Sequence, residues 1–319
     1  MRRFIIYISS LLIPLLLVML VLEGVVTKIP NSYSYKYNYV KTHGNSIKIL
    51  AIGHSQLYDG FDPKVFDDSV AFNLSNSSQE YIDNYYILQK LMDDMPNLKV
   101  VIMPLAYPEV SAKGKKSELS ERSTYYHEYM HIDYDGQIPW YYRYESINIP
   151  KAFSKIFDYY VKHEDIVGCD ALGRRDKYSV EDRVWKLEDN PVISKYYTLK
   201  QHSNFILRGE IYLEKIVKLL KERNICLFLV STPYYEKSLL NLNIDQQVFL
   251  NEYAAKIAKT DGVMYFNYQS DTTFTEKDFY DEAHLSEYGA EKFTKLLKKQ
   301  ILLHEAHKHD GAEKINLDM

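Results

Sequence analysis

Residues 50–56 read LAIGHSQ, an apolar strand that runs into Gly53 and is followed two residues later by Ser55. The chain must turn there towards a helix, and such a turn exposes a serine hydroxyl and aims backbone N–H groups outward. In many proteins a serine at this position only forms a turn or caps a helix. The stretch therefore predicts a strand end that carries a candidate nucleophile, Ser55.

Short apolar runs of the same kind alternate with amphipathic stretches along the rest of the chain. They predict strands at residues 47–52, 70–74, 99–103, 225–231 and 263–266. Helical spacing of apolar residues predicts helices at residues 79–95, 205–223, 245–259 and from 286 to about 303. Strands separated by helices predict an α/β fold, a three-layer, flavodoxin-like arrangement with a mostly parallel five-stranded sheet.

The composition of the 319-residue chain excludes several classes of protein. With 46% apolar and 26% charged residues it is globular, neither disordered nor fibrous. The formal net charge is -4, so the chain lacks the excess of positive charge typical of nucleic-acid-binding proteins, and we expect no nucleic-acid partner. Two cysteines cannot make a disulfide framework. The 30 tyrosines suit a polar, aromatic-lined surface such as one that handles sugars.

The N-terminal residues predict a transmembrane anchor. Residues 4–22 carry no charge and follow two arginines. A helix of this length extends about 28 Å, close to the ~30 Å hydrocarbon thickness of a bilayer. The arginines favour a cytoplasmic N-terminus, which puts the chain after about Thr27 outside the cell membrane. A cleaved signal peptide is the alternative, but its apolar core is usually shorter and ends in a small-x-small site, which residues 22–28 lack.

These patterns divide the chain into an anchor at 1–27, a juxtamembrane linker at 28–45, an α/β domain at 46–303 and a polar tail at 304–319. From about residue 107 to 203 the alternation of strands and helices stops, which predicts a tyrosine-rich helical insertion within the domain. Ligands of open α/β sheets bind at the carboxyl ends of the strands. The insertion, which starts at Tyr107 directly after a strand, is therefore expected to form one wall of a site.

A second candidate group lies in residues 279–289, FYDEAHLSEYG, which precede the last predicted helix. Acylation by a serine needs a base for the hydroxyl proton and a carboxylate that holds the imidazole in one tautomer. Asp281 and His284 are three positions apart, so one turn of chain can place both side chains on the same side of the loop. Ser55, His284 and Asp281 thus form a candidate triad, and a histidine that only caps the helix is the alternative.

With these two blocks the sequence resembles the SGNH (GDSL-like) hydrolase family. The family has a Gly-x-Ser after its first strand, matched by residues 53–55, and an Asp-x-x-His-Leu-x-x-x-Gly block before its final helix, matched by residues 281–289. The resemblance implies an SGNH-type sheet. It also implies Ser55 as nucleophile, His284 as general base and Asp281 as the residue that orients His284.

The resemblance covers residues 46–106 and 204–303 and has two departures. The glycine of the family's second block is replaced by Ser75, and residues 103–107, MPLAY, lack the asparagine of its third block. The oxyanion hole must therefore be incomplete or rebuilt. The candidate groups around it are Gly53, the N–H groups of Ser55 and Ser75, and the Asn76 side chain, with a turn-forming role for Asn73 and Asn76 as the alternative.

The layout of one span followed by one extracytoplasmic domain is similar to membrane-anchored relatives that take part in O-acylation of envelope polysaccharides. It implies a serine esterase or O-acyltransferase acting on acyl esters of such a glycan, with a membrane-bound O-acyltransferase as a further partner. Sugar rings pack on aromatic faces, so we expect residues 140–144, WYYRY, with Trp140 and Tyr142, to bind the substrate. A catalytically weak glycan-binding or assembly module is the alternative.

A competing motif is His-Glu-x-x-His at residues 127–131, in which histidines at i and i+4 on a helix bind zinc. Such a site needs a third protein ligand, and the flanks show no convincing buried helical face. A zinc metalloprotease acting through His127, Glu128 and His131 is the weaker alternative, and we expect neither a metal nor a cofactor. The histidine-rich tail at 304–309 is expected to be a solvated helix end.

Overall fold

The computed structural model describes residues 1–66, 70–106, 119, 122–175, 179–183 and 208–317. Contacts divide the chain into two compact units. The first unit contains residues 1–41 and 115–168, and the second contains residues 42–114 and 169–319. The predicted anchor, most of the predicted linker and the middle of the predicted insertion therefore form one unit, while the strands form the other.

The second unit is built on a five-stranded sheet with the order β2-β1-β3-β4-β5, in which all neighbouring strands are parallel. The strands are β1 (Ile49–Ala51), β2 (Ala71–Asn73), β3 (Val100–Pro104), β4 (Cys226–Ser231) and β5 (Val263–Asn267). The first four are buried along their whole length, and only the edge strand β5 is partly exposed. The predicted α/β class is confirmed, and the strand order is that of flavodoxin-like sheets.

The α-helices of the described residues flank this sheet or form the first unit. They are α1 (Arg2–Val26), α2 (Ser32–His43), α3 (Ser55–Gly60), α4 (Tyr81–Leu91), α5 (Ser123–Met130), α6 (Ile149–Ile156), α7 (Arg208–Glu222), α8 (Ile244–Ile257) and α9 (Glu287–Leu317). The predicted helix starting at residue 205 falls partly outside the described residues. The last helix continues well beyond residue 303, into the predicted tail.

Alternating strand residues bury both faces of the sheet. Phe228 packs with Phe61, which directly follows α3, and with Phe293 of α9 in one hydrophobic core. Leu227 and Leu229 point to the opposite face and are also buried. On that side α7 contacts β4 and packs against α4. The sheet therefore lies between two layers of helices, as the strand and helix pattern predicts.

Most of the predicted linker at residues 28–45 is helix α2, which its sequence pattern did not indicate. The Asn31 side chain accepts hydrogen bonds from the backbone N–H groups of Tyr33 and Ser34, both at 3.0 Å, and so caps the helix start. Lys36 and Val40, one turn apart, are buried. Side-chain capping and local burial thus form a helix where the sequence shows no apolar period.

Helix α1 has 25 residues and is long and apolar enough to cross a membrane, a property that membrane anchors and signal sequences share. Its last turns belong to the packing of the first unit. Leu22 and Val26 form a hydrophobic cluster with Ala152 of α6. The Glu23 carboxylate accepts hydrogen bonds from the backbone N–H groups of residues 145 and 146, at 3.1 and 2.8 Å.

Gly53 is required where β1 leaves the sheet. Its φ is +153°, and a Cβ at this position would lie 2.3 Å from Cδ of Pro104, the last residue of β3. Any other residue would therefore clash with the neighbouring strand and strain the backbone. This explains the glycine two residues before Ser55.

We expect Gly53→Ala to destabilise the protein by about 2–4 kcal/mol, because backbone strain and overpacking against Pro104 add. Gly262→Ala is the matched control, since Gly262 also has a positive φ, +79°, but has no atom within 4 Å of an added Cβ. It should cost only about 1 kcal/mol. Urea unfolding of the full chain in detergent, followed by circular dichroism, measures both. Equal losses in the free energy of unfolding for the two variants would mean that Pro104 does not restrict residue 53.

Candidate active site

Ser55 is the first residue of α3, immediately after the turn that leaves β1. The preceding residue, His54, caps the helix, and its Nδ1 accepts a hydrogen bond from the Gln56 N–H at 3.3 Å. The Ser55 hydroxyl oxygen lies 2.7 Å from Nε2 of His284. The nucleophile candidate and the base candidate, 229 positions apart in sequence, are therefore in direct hydrogen-bond contact at the carboxyl end of the sheet.

The loop before α9 holds His284 and Asp281 in a compact turn. His284 Nδ1 lies 2.8 Å from both carboxylate oxygens of Asp281. The same carboxylate accepts the backbone N–H groups of Ala283 and His284, both at 2.9 Å. The loop is joined to α3 through the Gln56 side chain, which donates to the Ala283 carbonyl at 3.3 Å. Asp281 can therefore hold the imidazole with Nε2 directed at Ser55.

Gly289, which ends the motif, permits the close approach of α9 to this loop. A Cβ at this position would lie 2.0 Å from the backbone oxygen of Asp278. The Ser286 side chain donates to the Lys277 carbonyl at 2.7 Å and fixes the same corner. The spacing of the Asp-x-x-His-Leu-x-x-x-Gly block thus follows from the packing of loop and helix.

Burial and charge shift the pKa values of the pair in opposite directions. Burial of the His284 ring opposes protonation, but the charge and hydrogen bond of Asp281 outweigh it and raise the pKa of His284. Burial likewise disfavours the charged form of Asp281. The positive imidazole and two backbone N–H groups nevertheless lower the pKa of Asp281. An ionised Asp281 beside a readily protonated His284 suits proton transfer from a hydroxyl.

Asp59 is a further ionisable group of this site, and sequence reasoning did not identify it. It lies one helical turn after Ser55 on α3 and is completely buried. Its carboxylate lies 2.8 Å from Nε of Arg175. Desolvation raises the pKa of Asp59 to about 6, although the Arg175 and His284 charges partly oppose it. Asp59 in turn contributes to the raised pKa of His284.

Arg175 comes from the segment that follows the first unit in sequence. Its guanidinium lies 4.6 Å from the centroid of the Tyr58 ring and donates to the Ser77 hydroxyl at 2.6 Å. The neighbouring Arg174 donates to the Asp59 carbonyl at 2.9 Å. The i, i+4 spacing of Ser55 and Asp59 was the one sequence signal for this group, whereas nothing in the sequence indicated its arginine partner.

Two of the predicted oxyanion donors make hydrogen bonds within the protein. The Ser75 N–H donates to the Asn73 side chain at 3.0 Å, and the Asn76 side chain donates to Gln79 at 3.3 Å. The Asn73 amide also donates to the carbonyl groups of Leu57 and Phe61, at 2.8 and 3.0 Å. The structure thus favours the turn-forming role for Asn73, while the oxyanion roles of Ser75 and Asn76 stay predictions.

Three further residues were predicted to bind substrate. Tyr107 is outside the described residues. Trp140 and Tyr142 belong to the first unit, where Trp140 is 71% exposed. Tyr142 lines a cavity of about 370 Å³ together with Tyr125, Tyr144, Glu145 and Lys151 among others.

The His-Glu-x-x-His pattern does not form a helical pair of ligands. Helix α5 ends at Met130, and His131 has a left-handed backbone conformation with φ 55° and ψ 42°. Nδ1 of His127 lies 3.0 Å from the Ile132 carbonyl oxygen. Within the described ranges, no group of three or more His, Cys, Asp or Glu side chains could hold a metal ion. The two histidines therefore do not share one face of a helix.

Comparison with known proteins gives distant structural similarity alone. No family model matches the sequence, and no curated protein matches it. A provisionally named acylhydrolase from Bacteroides fragilis has a TM-score of 0.41 and 10% identity, over 83% of this chain and 95% of that one. A provisionally named platelet activating factor from Streptococcus pneumonia has a TM-score of 0.41 and 12% identity, over 91% and 98%.

The fold of this chain is established by its own structure. The sheet order, the Gly-x-Ser turn after β1 and the Asp-x-x-His loop before the last helix agree with the expected SGNH (GDSL-like) arrangement. The fold that the resemblance implies, an α/β domain with a mostly parallel five-stranded sheet, is therefore confirmed.

We expect the pKa of the His284 imidazole to lie above the ordinary value of histidine and Asp59→Asn to lower that pKa. The substitution removes a negative charge that favours the imidazolium, and it leaves the positive charge of Arg175, which disfavours it. The titration is followed by NMR of the imidazole Cε1–H, assigned by its loss in His284→Ala. Asp261→Asn, at an exposed carboxylate, is the matched control and should cause no shift. An unchanged His284 titration in Asp59→Asn would separate Asp59 from the site.

Proposed function

We propose that this chain is a membrane-anchored serine esterase or O-acyltransferase that acts on acyl esters of an envelope polysaccharide. The observation that carries the proposal is the 2.7 Å contact between Ser55 Oγ and His284 Nε2, with Asp281 on the other ring nitrogen at 2.8 Å. A serine, an imidazole and a carboxylate in this order activate the hydroxyl as a nucleophile.

In the first half of the reaction, Ser55 Oγ attacks the carbonyl carbon of the ester while its proton passes to Nε2 of His284. The resulting tetrahedral intermediate collapses as the bond to the leaving alcohol breaks, and His284 returns the proton to that alcohol. Ser55 then carries the acyl group as an ester. Asp281 stays ionised and stabilises the imidazolium during both proton transfers.

In the second half, water or a sugar hydroxyl gives its proton to His284 and attacks the acyl carbon. The bond to Ser55 Oγ breaks, and His284 returns the proton to Ser55. Water releases a carboxylic acid, whereas a sugar hydroxyl receives the acyl group. Hydrolysis and transfer therefore use the same protein groups and differ in the acceptor that the pocket holds.

The membrane anchor is supported by the way α1 joins the first unit. A signal sequence is removed, so the folded protein does not depend on its contacts. Here Glu23 accepts two backbone hydrogen bonds near residue 145, and Leu22 and Val26 pack on α6. Removal of α1 would leave these N–H groups and apolar side chains without partners, which favours a retained span with an extracytoplasmic catalytic unit.

A sugar substrate is supported by the aromatic surface of the first unit. Tyr142 and Tyr144 line the 370 Å³ cavity beside the charged groups of Glu145 and Lys151. Aromatic faces pack on the C–H faces of sugar rings, and the charged and phenolic groups can bind their hydroxyls. This surface, with the exposed Trp140 beside it in sequence, is where we propose that the glycan binds.

A second candidate function is a catalytically weak glycan-binding or assembly module, for example as a partner of a membrane-bound O-acyltransferase. It is favoured by the hydrogen bonds that already occupy the Ser75 N–H and the Asn76 side chain. Loss of one oxyanion donor costs about 10²–10³ in rate. In that case Ser55→Ala and His284→Ala would support the same level of envelope polysaccharide acylation as the wild type.

We expect a fluorophosphonate probe to label the wild type on Ser55 and to leave Ser55→Ala unlabelled, because only an activated serine attacks the phosphorus. Asp281→Asn keeps the nucleophile but should lower ester turnover by roughly 10⁴-fold, since the imidazole loses its orienting charge. Ser46→Ala, at an exposed serine, is the control and should label normally. Equal labelling of the wild type and Ser55→Ala would remove Ser55 from the mechanism.

We expect acetylated oligosaccharides and short aryl acetates to be better substrates than long-chain acyl esters, because the proposed glycan surface is aromatic and polar. Trp140→Ala and Tyr142→Ala should raise KM for the oligosaccharide and leave aryl acetate turnover unchanged. Steady-state kinetics on the three substrates in the same detergent tests this. A preference for long acyl chains that neither substitution affects would contradict the sugar assignment and leave the catalytic one intact.

A further inference from the structure

Helix α6, which the π-helical turn Phe157–Val161 continues, packs against α1 through one side. Ala152 is completely buried against Leu22 and Val26 of α1, and Ile156 packs on the same cluster. This side of the helix is therefore occupied by the C-terminal end of α1.

Next to that side lies a second apolar face, and it is exposed. Phe153 and Phe157 are 58% and 51% exposed, and Ile149 and Tyr160 are also exposed. Their spacing of four, four and three residues places the four side chains on one face of a helix. Large apolar side chains at consecutive turns of one face are typical of a helix that another apolar phase covers.

Two lysines of this helical segment are paired with carboxylates of the same unit. Lys155 lies 2.9 Å from Glu145, and Lys162 lies 2.8 Å from Asp158. Lys162 also lies over the Phe157 ring, with its Nζ 5.6 Å from the ring centroid, so a cation borders the apolar face. An apolar face bordered by a lysine is typical of helices that lie in the plane of a membrane interface. The half-exposed Lys162 can direct its ammonium group to the aqueous side while the apolar face stays in lipid.

The contacts with α1 indicate what covers the exposed face. Leu22 and Val26 lie in the last two turns of the one described helix that is long and apolar enough to span a bilayer, and the end of a spanning helix lies at the membrane interface. Between them Glu23 is bound to the backbone before α6. The exposed face of α6 is thus attached at the depth where acyl chains meet headgroups.

We propose that the face formed by Ile149, Phe153, Phe157 and Tyr160 lies in the lipid interface of the membrane that α1 spans, so that this unit is seated on the bilayer. The inference rests on the proposed retention of α1 as an anchor and is independent of the catalytic chemistry. We expect lipid to cover this face. The test distinguishes lipid from a second copy of the chain or another protein.

The test is site-directed spin labelling of the full chain, reconstituted at one copy per nanodisc of phosphatidylcholine and phosphatidylglycerol. Nitroxide labels at Phe153→Cys and Phe157→Cys are compared with a label at Ser154→Cys on the polar side of the same helix. Accessibility is measured to oxygen, which partitions into lipid, and to a water-soluble nickel chelate. The chain without added cysteines is the control for labelling of the two buried native cysteines.

We expect the oxygen-to-nickel accessibility ratio at residues 153 and 157 to be severalfold higher than at residue 154. Ratios equal to that at residue 154 would overturn the proposal, and protection from both reagents would mean that protein covers the face. A label at Leu16→Cys separates the two ideas. If residue 16 is accessible to oxygen but residues 153 and 157 are accessible to the nickel chelate, α1 spans the membrane and only the seating of α6 is overturned. If all three residues are accessible to the nickel chelate, both the membrane anchor and the seating of α6 are overturned.

Discussion

The hydrogen bond between Ser55 and His284 depends on the packing of α3 against α9. Ser55 begins α3, and the loop that holds His284 leads into α9. The two helices pack on one face of the sheet, where Phe61, directly after α3, and Phe293 of α9 share a core. Polar contacts reinforce the same pair, since Thr294 accepts the Asp62 N–H at 2.8 Å. Residues more than two hundred positions apart can therefore keep a 2.7 Å separation without any covalent link.

A second consequence of this packing is that charged groups near the triad are enclosed. Asp59 follows Ser55 by one helical turn and is buried, so its charge needs the Arg175 guanidinium at 2.8 Å. Removal of either partner would leave an unpaired buried charge, which is more costly than loss of the pair. Arg175 thus contributes to the electrostatics around His284, although it lies in the predicted insertion, outside the alternating strands and helices.

Local sequence patterns predicted the parts of this structure that depend on local chemistry. The strands follow from apolar periodicity. The Gly-x-Ser turn and the Asp281–His284 spacing follow from short loops whose hydrogen bonds join residues close in sequence. The Asp59–Arg175 pair could not be predicted, because it joins two distant segments with no shared motif. The helix at residues 32–43 was missed for a related reason, since its burial comes from tertiary packing and its apolar residues show no period.

The central claim is that Ser55 carries the acyl group between the two halves of the reaction. The most direct measurement is mass spectrometry of the chain after brief reaction with an aryl acetate and an acid quench, followed by peptide mapping. The account predicts one acetyl group on the Ser55 hydroxyl in the wild type and none in Ser55→Ala. Ester turnover without acetylation, or with acetyl on another residue, would contradict it.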